Sequence, residues 1–225
     1  MVETFEQRFS NLPKDSLDRR ARSNARLRAE GVPVNDWLPA IESEQDLRLP
    51  STEEVAMRAA ATMIVALKGH GMPQDKVDAV VRDYELSNWF SPHEAAFVAD
   101  PNPSESESQV QTWRYEAANA LLWSLGYVDR LDTPRELCDP AAIAPFILEQ
   151  SRAQFLAGAK LRSKTEILDQ ADLTYRYRWA LVDARMKGHL APAGLSDDVA
   201  MERHQVFNWL MEHADTPWDE ISLDT

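Results

Sequence analysis

Apolar residues along most of this 225-residue chain recur three and four positions apart, and no long alternating run of β-branched residues occurs. That spacing places apolar side chains on one face of a helix, whereas a half-buried strand needs strict alternation. Only seven glycines are present to interrupt such helices. We therefore predict an all-α fold, with an N-terminal extension at residues 1–15 and a compact, single multi-helix domain at residues 16–225.

Two capping boxes, Ser51-Thr52-Glu53-Glu54 and Ser163-Lys164-Thr165-Glu166, predict where two of the helices begin. In such a box the serine hydroxyl and the glutamate carboxylate each satisfy a free backbone N–H of the first helical turn. Both boxes have a leucine two residues before them and an alanine five residues after the glutamate. Two interpretations of this repeat remain open: two related helical halves, residues 47–126 and 159–213, or a chance alignment of two common motifs.

Glycine, proline and N-cap signals divide the rest of the chain. The predicted helices cover residues 16–30, 51–69, 74–87, 91 onward, 109–125, 139–157, 163–187 and 197–213. Three prolines make residues 31–50 an irregular arm, and the polar segment 100–109 is expected to be a mobile loop. We assign Trp123, Trp209 and Trp218 to the core, because large apolar side chains are mostly buried.

The formal net charge is -13 and the isoelectric point lies near 4.8. A field of that sign disfavours nucleic acid and anionic membranes as partners. Five arginines between residues 19 and 28 depart from this balance. An RNA-binding arm is one interpretation of this cluster. We favour the other, a solvated helix face that docks on the acidic body.

A single cysteine, Cys138, makes an intramolecular disulfide impossible and suits a reducing compartment. No run approaches the roughly 18 apolar residues of a membrane-spanning helix, and the first residues lack the pattern of a signal peptide. We therefore expect a soluble, cytoplasmic protein. The neighbouring Asp139 is expected to raise the pKa of the Cys138 thiol, which disfavours a nucleophilic role.

Charged residues fall inside the apolar stripes of two predicted helices. At about 100° per residue, Glu116 projects close to Trp113 and Ala120, and Arg178 projects close to Ile167. A charge buried alone is unfavourable, so these groups must pair with each other or face a cleft.

Two interpretations of these charges remain open. One is a polar pocket with aromatic walls, whose guanidinium groups suit a carboxylate or phosphate. The other, which we favour, is a structural Arg–Glu network that fixes helix register. The candidate residues are Trp113, Arg114, Tyr115, Glu116, Tyr175, Arg178, Asp183 and Arg185.

No cofactor and no metal site is predicted. The five histidines are scattered, and the sequence lacks an HExxH motif, paired Cys–His spacing and an aspartate-rich calcium loop. It also lacks a GxSxG motif and a glycine-rich phosphate loop. These signatures of common catalytic centres are therefore missing from the chain.

Several short motifs occur in order along the chain. They are Leu38-Pro39-x-Ile41-Glu42, Leu49-x-Ser51-x-x-Glu54, Trp113-Arg114-Tyr115-Glu116, Leu161-Arg162-Ser163, Trp179-x-x-Val182-Asp183-Ala184-Arg185, Glu202-Arg203 and Asn208-Trp209-Leu210. In this order, over roughly residues 19–225, they resemble the bacterial domain of unknown function 4272 family. The resemblance implies a bacterial cytosolic setting. It carries no activity, cofactor or catalytic residue, and segment 100–109 does not fit its pattern.

We expect a non-catalytic binding or interaction protein of the immunity or adaptor type. Its partner is expected to be another protein or a small anion, and carboxylates would steer a basic protein partner toward it. The alternative is a hydrolase or transferase acting on an anionic substrate. In that enzyme Glu116 would act as acid and base, while Arg114 and Arg178 would hold the substrate.

Overall fold

The computed structural model describes residues 11–212 and 216–225, and these residues form helices without any strand, which confirms the all-α prediction. The α-helices are α1 (Lys14–Ala29), α2 (Thr52–Gly69), α3 (Gln74–Asp83), α4 (Pro92–Ala99), α5 (Glu105–Gln111), α6 (Arg114–Ser124), α7 (Pro140–Ile143), α8 (Pro145–Leu148), α9 (Arg152–Gly158), α10 (Lys164–Met186) and α11 (Asp197–Glu212). Short 3₁₀ turns lie at Leu86–Asn88, Pro192–Gly194 and Trp218–Glu220. Residues 1–10 of the predicted extension and residue 213 of the second predicted half lie outside the described residues.

None of the described helices combines the length and the apolar character needed to cross a membrane.

Both predicted capping boxes are present. The Ser51 hydroxyl accepts a hydrogen bond from the Glu54 N–H at 3.2 Å, and the Glu54 carboxylate accepts one from the Ser51 N–H at 2.7 Å. Ser163 and Glu166 make the same pair of bonds at 3.3 and 3.0 Å. These bonds explain why α2 and α10 begin where they do, because each satisfies an otherwise free N–H group.

Helix α2 lies at the centre of the main core. Every residue from 55 to 66 is buried, and α3, α4, α5, α6 and α9 pack around the helix. Alanines at many of these positions allow the neighbouring backbones to come close. The core therefore surrounds residues 55–66 of α2 on all sides.

Helix α10 joins this core to a smaller apolar cluster. It packs against α11 and against α1, and α11 also packs against α6. The smaller cluster contains Leu27 of α1, Tyr177 and Leu181 of α10, and Leu195 and Ala200 next to them. Each predicted half thus contains a capping-box helix packed on a later helix, α2 on α6 and α10 on α11. The proposed internal repeat stays a prediction.

The arginines of α1 lie against acidic side chains and backbone carbonyls. Arg19 is 1% exposed and donates to the Glu42 carbonyl at 3.0 Å, and Arg22 donates to Asp169 at 2.6 Å. Arg20, Arg26 and Arg28 are likewise engaged, by the arm carbonyls, Glu30 and Asp36 respectively. The cluster therefore docks on the acidic body as predicted, but Arg19 and Arg20 are buried rather than solvated, because both reach under the arm to its carbonyls.

The prediction of a loop over residues 100–109 is wrong for residues 105–109. Helix α5 begins at Glu105, and the Ser104 hydroxyl caps it by accepting from the Glu107 N–H at 3.2 Å. Acidic residues in this first turn also match the positive end of the helix dipole. The single helix predicted over residues 109–125 is divided, since α5 ends at Gln111 and α6 begins at Arg114.

The C-terminal segment packs back on the body through Trp218. This side chain is buried, with the Arg58 guanidinium 4.6 Å above its ring and the Trp209 ring edge-on at 5.7 Å. The Asn208 amide donates to the Ser222 carbonyl at 2.8 Å. Trp123 is also buried, as predicted, whereas Trp209 is half-buried.

Candidate functional site

The structure divides the eight predicted site residues among several neighbourhoods. Trp113, Tyr115 and Glu116 line one cleft, while Arg114 contacts α11. Arg178 and Arg185 both contact Asp197. The other two residues make separate contacts: Tyr175 stacks on His204, and Asp183 pairs with Lys187. The helical projection correctly places Glu116 and Arg178 inward, but Arg185, which projects at the same angle as Arg178, is exposed. The projection also does not identify which neighbour each side chain meets.

Arg178 and Arg185 converge on Asp197, in the first turn of α11. Arg178 is buried and contacts one carboxylate oxygen, while exposed Arg185 contacts the other at 2.9 Å. Asp183 forms an exposed pair with Lys187 one turn later, at 2.8 Å. The contacts with Asp197 join α10 to α11, whereas the Asp183–Lys187 pair lies at the end of α10 and, being exposed, contributes little stability.

Arg114 connects α6 to α11. Its Nη1 lies 2.9 and 3.1 Å from the two oxygens of Glu202 and 2.6 Å from the Gln205 side-chain oxygen. Burial raises the pKa of Glu202, and the Arg114 charge opposes that rise. The guanidinium expected to hold an anionic substrate beside Glu116 is therefore engaged by a different acid.

Glu116 is a buried carboxylate with two partners that the sequence did not identify. One oxygen accepts from the Cys138 N–H, and the other lies 3.5 Å from Arg203 Nη2. Arg203 also donates to the Asp132 carbonyl at 2.6 Å. Burial lowers the pKa of Arg203, and the Glu116 charge is the largest opposing influence. The sequence does indicate that Arg203 turns inward, because it lies one turn before Phe207 on the apolar face of the same predicted helix.

The first cleft, here the aromatic cleft, has a volume of about 490 Å³. It lies between the end of α2, helix α5, the start of α6 and the segment before α7, and its walls include His70, Glu105, Trp113, Tyr115, Glu116 and Cys138. None of the described residues that line it is lysine or arginine. Gly69 allows the end of α2 to approach α5 closely, since a Cβ atom there would lie 2.7 Å from the Ser108 carbonyl oxygen.

The second cleft, here the Asn119 cleft, has a volume of about 660 Å³ and shares Leu137 and Cys138 with the first. Its floor includes Asn119 and Arg203, and its rim includes Arg130 and Arg135. Asn119 is 7% exposed, and its side-chain amide has no hydrogen-bond partner among the described residues. Sequence reasoning missed this residue.

Cys138 separates the two clefts. Burial raises the pKa of its thiol, and the Glu116 carboxylate raises it further. The predicted direction is confirmed, but burial is the leading cause and Glu116, rather than Asp139, is the carboxylate that contributes most. The thiol is therefore neutral near pH 7 and a poor nucleophile.

No group of three or more histidine, cysteine, aspartate or glutamate side chains in residues 11–212 and 216–225 is placed to hold a metal ion.

His204 lies beneath Tyr175, with the two rings stacked at 6.2 Å and 25°. Its Nε2 is 3.1 Å from the Asn208 amide nitrogen. Burial lowers the pKa of His204 to about 4. The imidazole is therefore neutral at pH 7, and protonation of this ring opposes folding.

We expect this histidine to make the protein acid-sensitive. The unfolded chain takes up a proton near the ordinary histidine pKa of about 6.5, whereas the folded chain does so only near 4. Stability is therefore complete above the unfolded pKa and is lost as the pH falls toward the folded one. Between pH 7 and about 4.5, urea denaturation should show a loss of ~2 kcal/mol from this group. A His204→Gln variant should lose correspondingly less, and equal losses in the two proteins would contradict the assignment.

The described residues form an all-helical fold in which buried charges pair between helices and several clefts open on the surface. The chain matches the family described as domain of unknown function (DUF4272) over residues 19–221, and it belongs to that family. Comparisons with curated proteins and with solved structures give no significant match.

Proposed function

We propose that this is a soluble, cytoplasmic, non-catalytic binding protein, and that the aromatic cleft holds a small organic cation. The proposal is carried by one observation: aromatic rings and carboxylates line this cleft, and no described lysine or arginine does. The small anion expected from the sequence requires Arg114 and Arg178 to face Glu116. Both arginines contact other acids, so the charge expected at this cleft is reversed.

The rings of the aromatic cleft suit a positive charge. The His70 and Tyr115 rings lie edge-to-face at 5.8 Å, and Trp113 lines the same cleft. An ammonium group over an aromatic face is attracted by the ring quadrupole, and tryptophan is the best partner. Glu105 at the rim has no ion-pair partner among the described residues, so its charge is free to attract a cation.

The field of the whole molecule acts in the same direction. A net charge of -13 raises the local concentration of cations and speeds their association. The apolar walls would contact the hydrocarbon part of the ligand. We therefore expect an amine or quaternary ammonium with an apolar body to fit this cleft better than a simple ion.

The contacts of Glu116 and Cys138 favour binding over turnover. The Glu116 carboxylate is engaged by a backbone N–H and by Arg203. The Cys138 thiol is neutral because burial raises its pKa. Neither group is available as a proton acceptor or nucleophile, which supports a site that holds its ligand unchanged.

Calorimetric titration with pentyltrimethylammonium, compared with neutral pentanol, tests the proposal. The cation should bind saturably and pentanol should bind much more weakly. Trp113→Leu keeps an apolar side chain but removes the ring, and it should weaken cation binding about fivefold. Trp37→Leu is the matched control, because half-exposed Trp37 does not line the cleft. Equal binding of the two probes, or unchanged affinity in Trp113→Leu, would overturn the proposal.

A further inference from the structure

Asn119 is a polar residue at a helix position where an apolar one would be expected. It lies in the middle of α6 between Ala118 and Ala120, in a helix whose other inward residues are mostly apolar. Asparagine is a weaker helix former than alanine or leucine. Its side chain is 7% exposed and makes no hydrogen bond to another described residue, and solvent in the cleft reaches its amide atoms. The fold therefore gains no hydrogen bond from an amide at this position.

The Asn119 amide opens into a cleft of ligand size. The volume of about 660 Å³ lies in the range of small-molecule sites. Ile143 and Phe146 provide an apolar wall. The unpaired amide is therefore placed where a guest molecule could hydrogen-bond to it while an apolar body lies against that wall.

The buried positive charge and the negative charges of the Asn119 cleft lie at different depths. Arg203 is 4% exposed and lies at the floor with Asn119. The acidic residues that line the cleft, Asp132, Glu136 and Asp139, are all exposed at the rim, where solvent and salt screen them. Arg203 donates to the Asp132 carbonyl at 2.6 Å and pairs with Glu116 at 3.5 Å, while its Nε has no partner among the described residues. The floor therefore contains an amide and one guanidinium N–H that no described residue engages.

Arg135 adds a second positive charge nearer to solvent. No acidic partner for it occurs among the described residues, whereas Arg130 on the same rim pairs with Asp132 at 3.1 Å. A carboxylate entering the cleft would meet the free guanidinium first and the buried donors afterwards. Hydrogen bonds of this kind, between a charged acceptor and several donors, are the strong ones.

We propose that the Asn119 cleft binds a monocarboxylic acid with an apolar body. The Asn119 amide donates to one carboxylate oxygen, Arg203 and Arg135 supply positive charge, and Ile143 and Phe146 contact the apolar part. This site has the opposite charge preference from the aromatic cleft on the other side of Leu137 and Cys138. It does not depend on the cation proposal.

Amide NMR spectra of the full chain, titrated with benzoate and in parallel with neutral benzamide, test this inference. The side-chain NH₂ signals of Asn119, assigned by their absence in Asn119→Leu, should shift with benzoate. Benzamide should bind at least tenfold more weakly. Asn119→Leu should bind benzoate at least tenfold more weakly than the natural chain while its melting temperature rises, because leucine is a better helix former than asparagine. A structural role for Asn119 would instead lower that temperature.

Two control variants test whether benzoate affinity depends on this cleft in particular. Asn102→Leu changes an exposed loop residue and should leave benzoate affinity unchanged. Arg135→Gln, also on the surface, should weaken benzoate binding a few-fold and reduce the effect of salt on binding. Three outcomes would overturn the inference: no saturable binding of benzoate up to about 10 mM, unmoved Asn119 signals at saturation, or full affinity in Asn119→Leu.

Discussion

Replacing Glu116 with alanine is expected to lower the free energy of unfolding by about 3 kcal/mol. The substitution leaves the Arg203 guanidinium buried without its carboxylate, and it leaves the Cys138 N–H without its acceptor. Urea denaturation near pH 7, followed by circular dichroism, measures the change. A large part of the loss comes from the charge left behind rather than from the attraction that is removed.

A double variant and a neighbouring carboxylate separate these causes. Glu116→Leu combined with Arg203→Met should recover most of the stability, because removing both members of a buried ion pair is often close to neutral. Glu105→Ala removes an exposed carboxylate from the same cleft and should change stability by less than about 0.5 kcal/mol. A Glu116→Ala protein as stable as the natural one would mean that Glu116 does not neutralise Arg203.

Asp172→Ala is expected to destabilise the protein by about 4 kcal/mol. Asp172 and Arg176 form a pair inside α10 whose two hydrogen bonds are both 2.8 Å, and their side chains are 0% and 1% exposed. Arg176 also donates to the Pro39 carbonyl at 3.1 Å, so the pair holds the arm of residues 31–50 against the body. Urea denaturation measures the total loss, and faster hydrogen exchange in the arm would report its release.

The same helix provides the matched control. Asp183→Ala breaks a pair with the same one-turn spacing, but this pair is exposed. Its loss should therefore change stability by only about 0.3 kcal/mol. If the two substitutions had similar effects, burial would not be what makes the Asp172–Arg176 pair important.

Local features of the fold could be predicted from sequence because they depend on residues close together in the chain. The boxes at Ser51 and Ser163 each involve a serine and a glutamate three residues apart, so reading the pattern was enough to find α2 and α10. The same applies to the inward position of Glu116 and Arg178, which follows from the helical repeat alone. Both side chains are buried in the structure.

The partners of these charges could not be predicted, because they depend on how distant helices pack. The sequence suggested that Glu116 and Arg178 meet each other or a guest, but Glu116 meets Arg203 of α11 and Arg178 meets Asp197. A helical projection gives the direction of a side chain and contains no information about the helix that lies opposite. Trp113, Tyr115 and Glu116 do line one cleft, whereas the arginines predicted to supply its positive charge contact acids elsewhere.

Two other features, α5 and Asn119, were not predicted from the sequence, for different reasons. The polar composition of residues 105–109 concealed α5, although Ser104 followed by glutamates is itself a helix-start signal. Asn119 was overlooked because one amide among alanines and leucines does not disturb an apolar pattern. Its significance appears only when the structure leaves the amide unpaired at a cleft.

The burial of α2 on every side has a consequence for how this domain can vary. A helix with an outward face tolerates many replacements there, but residues 55–66 offer no such face. An enlarged side chain at any of these positions would push against a neighbouring helix and would need a compensating reduction there. Divergence in this domain should therefore proceed by paired changes around α2, whereas the acidic exterior remains free to adapt to different molecular environments.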